Sequence, residues 1–492
     1  MNPQNRLFKL INSKYYYLLF FFISFLFITL FSRSTSALYA TEGFDAAIFK
    51  QMGMAFLQGK TMYVDYFDNK GCLLYLIQAL GLWLGGNFFI LLMQVFSMTI
   101  TFIIWDKMLA LYQDSRHRII GLGVMLLLLL CFYAGGDLSE EWCLPFASYP
   151  LWIYFKALKE KKEIPSIQWW IIGICFGIIA FIRINNACPF LGFALYAFFN
   201  QLKQKNYRKF FSDGLLFLSG TAMIAGICLL FFYMQDPDQG IKEMIYGTFL
   251  FNFEYLAIHK KTFLMVFYIL FLALSILQQV INSYHDKAVL IPCLLSYTLF
   301  VLTFGTHCFT HYLISLLPLS VVMLMTIRHE RQKNNRWALI PLSLVAVLFY
   351  LPVPVAFFVN DVILGNDKYA VIYNDFHQCI DQIPETERDS IYNYNLSGSG
   401  VGMMQNEGLL QCNRVFYTAF AFEMPILHQK ETEKSFQAPP WILVSWDRHF
   451  EEDDAYFILG QYDEVCSFEH NRIYWQKPQI GNTMEVKLYR RK

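Results

Sequence analysis

The chain has 492 residues, of which 56% are hydrophobic, 18% aromatic (49 Phe) and 16% charged, where a soluble domain carries roughly 25% charged residues. With a mean hydropathy of +0.37, this excludes disordered, collagen-like and disulfide-framework chains and implies an all-α polytopic membrane protein with a small soluble part. The net charge of +1 divides unevenly: residues 1–359 carry 27 Lys+Arg against 18 Asp+Glu, whereas residues 360–492 carry 12 against 20. No basic, aromatic-interleaved patch points to nucleic acid.

In chain order, apolar runs predict helices at 15–32, 87–105, 119–134, 143–158, 167–182, 188–200, 212–234, 262–281, 288–305, 311–327 and 337–358, about eleven transmembrane helices in all. The first run follows Arg6, Lys9 and Lys14 and is too long for the apolar stretch of a signal peptide, so it reads as an uncleaved anchor. Residues 72–85 (CLLYLIQALGLWLG) are apolar, but a helix of that length covers only about 21 Å of a ~30 Å hydrocarbon core. Loop charge decides its placement. If 72–85 does not cross, 19 of the 27 basic residues fall on the cytoplasmic side; if it crosses, most fall outside. The segment therefore reads as a re-entrant or juxtamembrane helix. The N-terminus is inside, and the acidic region after 359 is outside.

Two parts follow: a membrane module over 1–359, with a first external loop and its juxtamembrane helices at 33–86, and an extracytoplasmic α/β domain over 360–492. In the latter, strands are predicted at Ser390–Leu396, Arg414–Phe420, Trp441–Trp446, Asp463–Phe468 and Met484–Tyr489, with a turn or flexible loop at Ser397–Gly400. The eleven Cys show neither CxxC nor Cys/His metal spacing, and no disulfide framework is expected.

Polar chemistry concentrates in the loops on the outer side. In the first loop, Phe44, Ile48, Met52, Ala55 and Phe56 lie on one helical stripe, which predicts a short amphipathic helix on the outer leaflet with Thr41 as its N-cap. Asp45 falls within that stripe. A carboxylate turned toward a membrane or bundle is costly unless paired or used, and a helix's first turn favours its ionised form. That suits a general base; a capping or salt-bridged Asp, paired with Lys70, is the plain structural alternative. Asp65, Asp68 and Lys70 either order their own loop or meet a cation or charged headgroup. Asp137, Glu140 and Glu141 form an acidic second loop, able to position an acceptor, hold a divalent metal, or simply face solvent. Arg183, with Asn185 and Asn186, sits where a span ends and suits a phosphate as well as it suits snorkelling. Lys260 and Lys261 share both readings. His307 and His311 lie at the outer end of another span, where His serves a leaving phosphate, a sugar hydroxyl or plain structure.

The order of these features resembles the GT-C superfamily of membrane glycosyltransferases, most closely the bacterial branch related to protein O-mannosyltransferases and the lipid A aminoarabinose transferase. Gly43–Gly86 carries most of the likeness, through an acidic residue on a short helix followed by Tyr63-x-Asp65-x-Phe67-Asp68-x-Lys70-Gly71. Gly136–Glu141, Arg183–Asn185 and His311–Pro318 are weaker echoes. The sequence departs from the family at Cys72, where a Pro is usual, and in its first-loop acids, Glu42 and Asp45, which stand two residues apart.

The resemblance implies a sugar donor on a polyprenyl phosphate in the outer leaflet of the bacterial inner membrane, a lipid, glycan or protein acceptor on that side, and inversion at the anomeric carbon. It implies Asp45 as catalytic base, Lys70, Arg183 and His311 near the donor phosphate, and either Glu140 or Glu141 as the second-loop acid; the residues themselves offer Glu42, Asp65, Asp68, Asp137, Glu140 and Glu141 as acceptor-binding or loop-ordering groups. No cofactor is firmly implied, although a divalent metal fits the loop acids. Three alternatives compete: a glycan polymerase, a flippase or transporter, and a non-enzymatic scaffold built on the acidic tail. Transporters place ionisable groups near the mid-membrane, and here the spans are nearly free of them.

Overall fold

In the computed structural model the described residues are 15–39, 44–256, 264–304, 309–327, 339–365, 368–394, 398–415, 439–446, 460–471 and 483–492. The helices in chain order are α1 (Tyr16–Phe31), α2 (Phe44–Leu57), α3 (Cys72–Gly85), α4 (Asn87–Leu109), α5 (Ser115–Phe132), α6 (Ser139–Glu160), α7 (Ser166–Arg183), α8 (Cys188–Lys203), α9 (Tyr207–Gln235), α10 (Gly240–Ile245), α11 (Phe251–Leu256), α12 (Leu264–Ser283) and α13 (Lys287–Phe304). A 3-10 turn at Thr310–Leu316 leads into α14 (Leu317–Met325), followed by α15 (Leu339–Phe349), α16 (Pro352–Phe357), α17 (Lys368–Ile380) and α18 (Gly398–Asn406).

Among the described residues seven helices are long and apolar enough to cross a membrane: Asn87–Leu109, Ser115–Phe132, Ser166–Lys203, Tyr207–Gln235, Met265–Ser283, Lys287–Phe304 and Ser343–Ile363. This corrects the expected count of eleven. The 167–182 and 188–200 runs join through a 3-10 turn, Ile184–Ala187, into one helical stretch. Tyr16–Phe31 and Thr310–Met325 are apolar but about half a turn too short. α6 carries Pro145 and Pro150 internally and acids in its first turn, which lowers its apolar character outside 143–158. The 14-residue α3 begins and ends where the sequence predicts, and Gly85 and Gly86, at φ +158° and +72°, reverse the chain directly into α4.

Packing follows from small residues and a few buried polar clamps. α7 and α9 meet backbone to backbone: a Cβ on Gly220 would lie 2.2 Å from the Trp170 carbonyl, and the Thr221 hydroxyl donates to the Gly173 carbonyl at 3.1 Å. Close approach of this kind is how helices associate where lipid removes the hydrophobic drive between them. Near the end of α4, the buried Asp106 accepts two hydrogen bonds from the Arg118 guanidinium, one of them at 2.6 Å, and one from the Tyr16 phenol at 3.0 Å. A buried acid is stable only with such compensation.

The tail forms a four-stranded sheet, β1 (Ile391–Tyr394), β2 (Trp441–Trp446), β3 (Tyr462–Asn471) and β4 (Thr483–Arg491), in the order β1-β2-β4-β3. β1 and β2 are parallel, and the other pairs are antiparallel, with Leu443 opposite Leu488. α17 packs on one face, enclosing Phe376, Ile380, Trp441, Leu443 and Leu488. Four predicted strands are present. The fifth, Arg414–Phe420, lies outside the described residues after Val415, which makes one parallel bridge to Phe67. The predicted turn at Ser397–Gly400 is corrected, because Gly398 starts α18. No disulfide framework is expected from the sequence, and among the described residues there is one disulfide, Cys379–Cys466, which joins α17 to β3. Single cysteines far apart in sequence leave no spacing signal.

Candidate active site

α2 is enclosed rather than lying on a leaflet. Ala46 through Met52 are all buried, including Lys50 and Gln51. The polar side expected to face water is covered instead. Lys50 Nζ donates to the Ser34 carbonyl, and Gln51 Nε2 donates to the Leu409 carbonyl of the tail at 2.7 Å. Thr41 and Glu42 lie outside the described residues. Asp45, in the first turn, keeps 28% of its side chain exposed.

Opposite Asp45 stands His311, on the 3-10 turn ahead of α14, with Nε2 3.8 Å from Oδ2. That separation is an electrostatic contact, longer than a hydrogen bond. Four charged groups act on this imidazole: Glu140, Asp45, Arg183 and Lys70. Glu140 leaves the first turn of α6 and accepts from Arg183 Nη1 at 2.5 Å. Arg183 ends α7, where a cation complements the helix dipole. Its guanidinium lies over the Tyr312 ring at 4.4 Å and the Phe304 ring at 5.4 Å. Five of the predicted site residues, Asp45, Lys70, Glu140, Arg183 and His311, thus share one end of the helical bundle.

Lys70 arrives on the loop 61–71. Its Nζ donates to Asn69 Oδ1 at 2.6 Å and stands 5.8 Å from the Phe49 ring of α2, one turn beyond Asp45. The alternative of an Asp45–Lys70 salt bridge gives way to the His311 contact. The loop's end is pinned to α7, since Gly71 N–H donates to the Ile182 carbonyl at 2.9 Å. A Cβ on Gly71 would lie 2.0 Å from the Phe181 carbonyl, so only glycine fits. Asp68 accepts from the Tyr75 phenol at 2.8 Å and orders the loop from within. Asp65 is exposed and accepts from its own loop's Thr61 N–H at 2.7 Å, a local turn.

The second-loop acids separate. Asp137, at φ +59° and fully buried, accepts from Gln78 Nε2 at 2.7 Å and Trp142 Nε1 at 2.9 Å. Glu141 accepts from the Asp137 N–H at 2.9 Å, from the Tyr133 phenol at 3.3 Å and from Gln94 Nε2 at 3.3 Å. This residue precedes the apolar stretch 143–158, and burial beside Asp137 pushes its carboxyl up to about 8. Both acids face the interior rather than the solvent that an external loop would offer, because the turn at Gly135-Gly136-Asp137 takes three successive positive φ values and folds the loop inward.

Asn185 and Asn186 are structural: Asn185 Nδ2 donates to the Thr303 carbonyl at 2.8 Å, and Asn186 accepts from the Ser315 hydroxyl at 2.7 Å. His307, Lys260 and Lys261 lie outside the described residues. Among the described residues no group of three or more His, Cys, Asp or Glu is disposed to hold a metal ion. Sequence reasoning missed Gln78 and Gln94, although both had a signal, since an amide within an apolar membrane run needs a partner.

No curated protein matches the chain. Two solved structures with a similar fold are both of the oligosaccharyltransferase of Archaeoglobus fulgidus, at 11% identity over 88% of this chain and 70% of that one. They are the apo form, with a TM-score of 0.47, and the enzyme tethered by a disulfide to an acceptor peptide containing the NVT sequon, with a TM-score of 0.48. Residues 4–339, most of the helical region and every member of the cluster around His311, match the family described as "Putative competence-induced protein Ccs4 N-terminal domain", and the chain belongs to that family.

Proposed function

We propose that the protein is a membrane glycosyltransferase that moves a sugar from a polyprenyl phosphate to a lipid, glycan or protein acceptor on the outer face of the cytoplasmic membrane. The observation that carries this reading is the convergence of Asp45, His311, Lys70 and the Arg183–Glu140 pair at one end of an apolar helical bundle.

In the reaction, an acceptor hydroxyl attacks the anomeric carbon and the bond from that carbon to the phosphate oxygen breaks. Asp45 takes the hydroxyl proton, and the configuration inverts in a single displacement. A positioned base contributes roughly 10²–10⁴-fold. The phosphate enters as a diester with one negative charge and leaves as a monoester with more. Arg183 and Lys70 oppose that growing charge from fixed positions, which is worth more than the same cations would be in water. Glu140 orients the guanidinium, and His311 holds the Asp45 carboxylate toward the acceptor.

The distribution of buried acids in the helices favours group transfer over transport. Asp106 lies near the end of α4 and Asp213 near the start of α9, each already paired, whereas transporters carry such groups near the midplane. The test is Asp45→Asn in purified full-length protein with a radiolabelled polyprenyl-phosphate sugar. Turnover should fall by about 10²–10⁴-fold; turnover equal to the wild type removes Asp45 from the mechanism.

A further inference from the structure

The loop that carries Lys70 is shaped by Tyr63. This residue has φ +64°, in the left-handed region that strains a side chain with a Cβ. Its ring is fully buried between Tyr75 and Phe232. Its phenol donates to the Lys70 carbonyl at 2.6 Å and accepts from the Thr248 hydroxyl at 3.2 Å. A Cβ on Gly247 would lie 2.6 Å from the Tyr63 ring, so the segment after α10 presses directly on it. The hydroxyl of Tyr63 therefore fixes the backbone of Lys70, and whatever fixes Tyr63 fixes Lys70 with it.

The group that holds the Tyr63 backbone comes from the tail. Arg414 donates from both Nε (3.2 Å) and Nη2 to the Tyr63 carbonyl, and Nη2 also donates to Glu243 Oε2 of α10 at 2.7 Å. The guanidinium is buried and stacks over Phe67 at 5.3 Å. The same stretch of tail grips the loop at further points. Phe67 N–H donates to the Arg414 carbonyl at 2.8 Å, and the Tyr66 phenol donates to the Gln411 carbonyl. Gln411 is in turn held by Asn393 of β1 at 2.9 Å. Val401 and Leu410 belong to the apolar core of the helical region rather than to that of the sheet. Arg414 lies beyond residue 339, outside the stretch that matches the family.

We propose that Arg414, oriented by Glu243, is a positioning residue for the donor phosphate: it clasps the strained Tyr63 turn, and Tyr63 then sets Lys70. The role of Lys70 in this statement rests on the transferase reading above; the clasp itself does not. A guanidinium suits the task because its planar fork reaches one carbonyl with two donors while a carboxylate neutralises it from the side. The C-terminal region is then a working part of the site, and a chain ending before residue 398 keeps Asp45 and Arg183 but loses the placement of Lys70.

The test uses full-length protein in detergent micelles, comparing wild type with R414Q, R414K and the double variant R414Q/E243Q, which leaves no buried charge unpaired. Amide hydrogen exchange over residues 61–71 is measured beside binding of farnesyl phosphate, a short polyprenyl phosphate. Loop exchange should rise about tenfold in R414Q and in the double variant, with exchange in α7 and α9 unchanged, and the dissociation constant for farnesyl phosphate should rise about tenfold. R414K, which keeps the charge but not the fork, should fall between. Unchanged loop exchange in folded R414Q/E243Q overturns the clasp. Faster loop exchange with unchanged farnesyl phosphate affinity overturns its link to the donor. If the wild type transfers no sugar from any polyprenyl phosphate, the transferase reading falls, while the exchange result still decides the clasp.

Discussion

Glu140 and Glu141 are adjacent in the first turn of α6, yet they sit in two different chemistries. Glu140, itself buried, turns to Arg183, and through it joins an outer cluster whose other members, Asp45, Lys70 and His311, come from three further segments. Glu141 faces inward to Asp137, Tyr133 and Gln94, where every neighbour is neutral or negative and burial keeps its proton on. The outer cluster brings two carboxylates, two cations and an imidazole near one another, the kind of preorganised charge that suits a charged transition state. The inner one has its acids capped by amide, indole and phenol donors, which is how an interior disposes of acids it keeps for shape. One residue of sequence decides between the two, because neighbours on a helix point 100° apart.

Four variants break or sharpen that contrast, beginning with the largest effect. Asp45→Asn should reduce turnover by about 10²–10⁴-fold while leaving farnesyl phosphate binding within about threefold. Arg183→Gln, made together with Glu140→Gln so that no buried carboxylate is stranded, should cost about 10²–10³-fold in kcat/KM with labelled donor. Gly71→Ala should weaken farnesyl phosphate binding by about tenfold or more, since the new methyl meets the Phe181 carbonyl and drives the loop off α7.

Glu141→Gln is the smallest and the most discriminating. Its carboxyl already carries a proton at neutral pH, so the amide should leave turnover within about threefold of wild type. The folded-state pKa of about 8 lies above the unfolded value, so the wild type loses stability as pH rises from the ordinary carboxyl range through about 8. The variant has no such group to ionise. Thermal unfolding followed from pH 5 to 9 should show a flatter dependence in Glu141→Gln and a higher midpoint than wild type at the alkaline end. A steep loss of transfer in this variant instead would place Glu141 in the outer cluster.

Much of the layout was legible because apolar runs of membrane length have few rivals as structures. The bounds of α3, Cys72–Gly85, follow from its apolar run, and β2 begins and ends where its β-rich run does. The same local reasoning brought Asp45, Arg183 and His311 forward as candidates, since each is a polar residue at the end of an apolar element. It failed where tertiary contacts overrule the local pattern. The stripe on α2 pointed to a lipid surface, but Lys50 and Gln51 find buried carbonyl partners that no periodicity announces. Asp137 and Glu141 looked like external acids until the double-glycine turn folded them inward. Cys379 and Cys466 are 87 residues apart, and Arg414 is 351 from Tyr63; contacts at such separations leave no trace in a single sequence.

The hydrogen bond from Gly71 to Ile182 has a thermodynamic consequence. It ties the residue after Lys70 to the residue before Arg183, so the backbones that carry two cations remote in sequence are held together when the chain folds. For the phosphate proposed to bind there, that much less backbone freedom is left to lose on binding. Affinity for a phosphate should therefore respond to the stiffness of this junction as strongly as to the charges it carries.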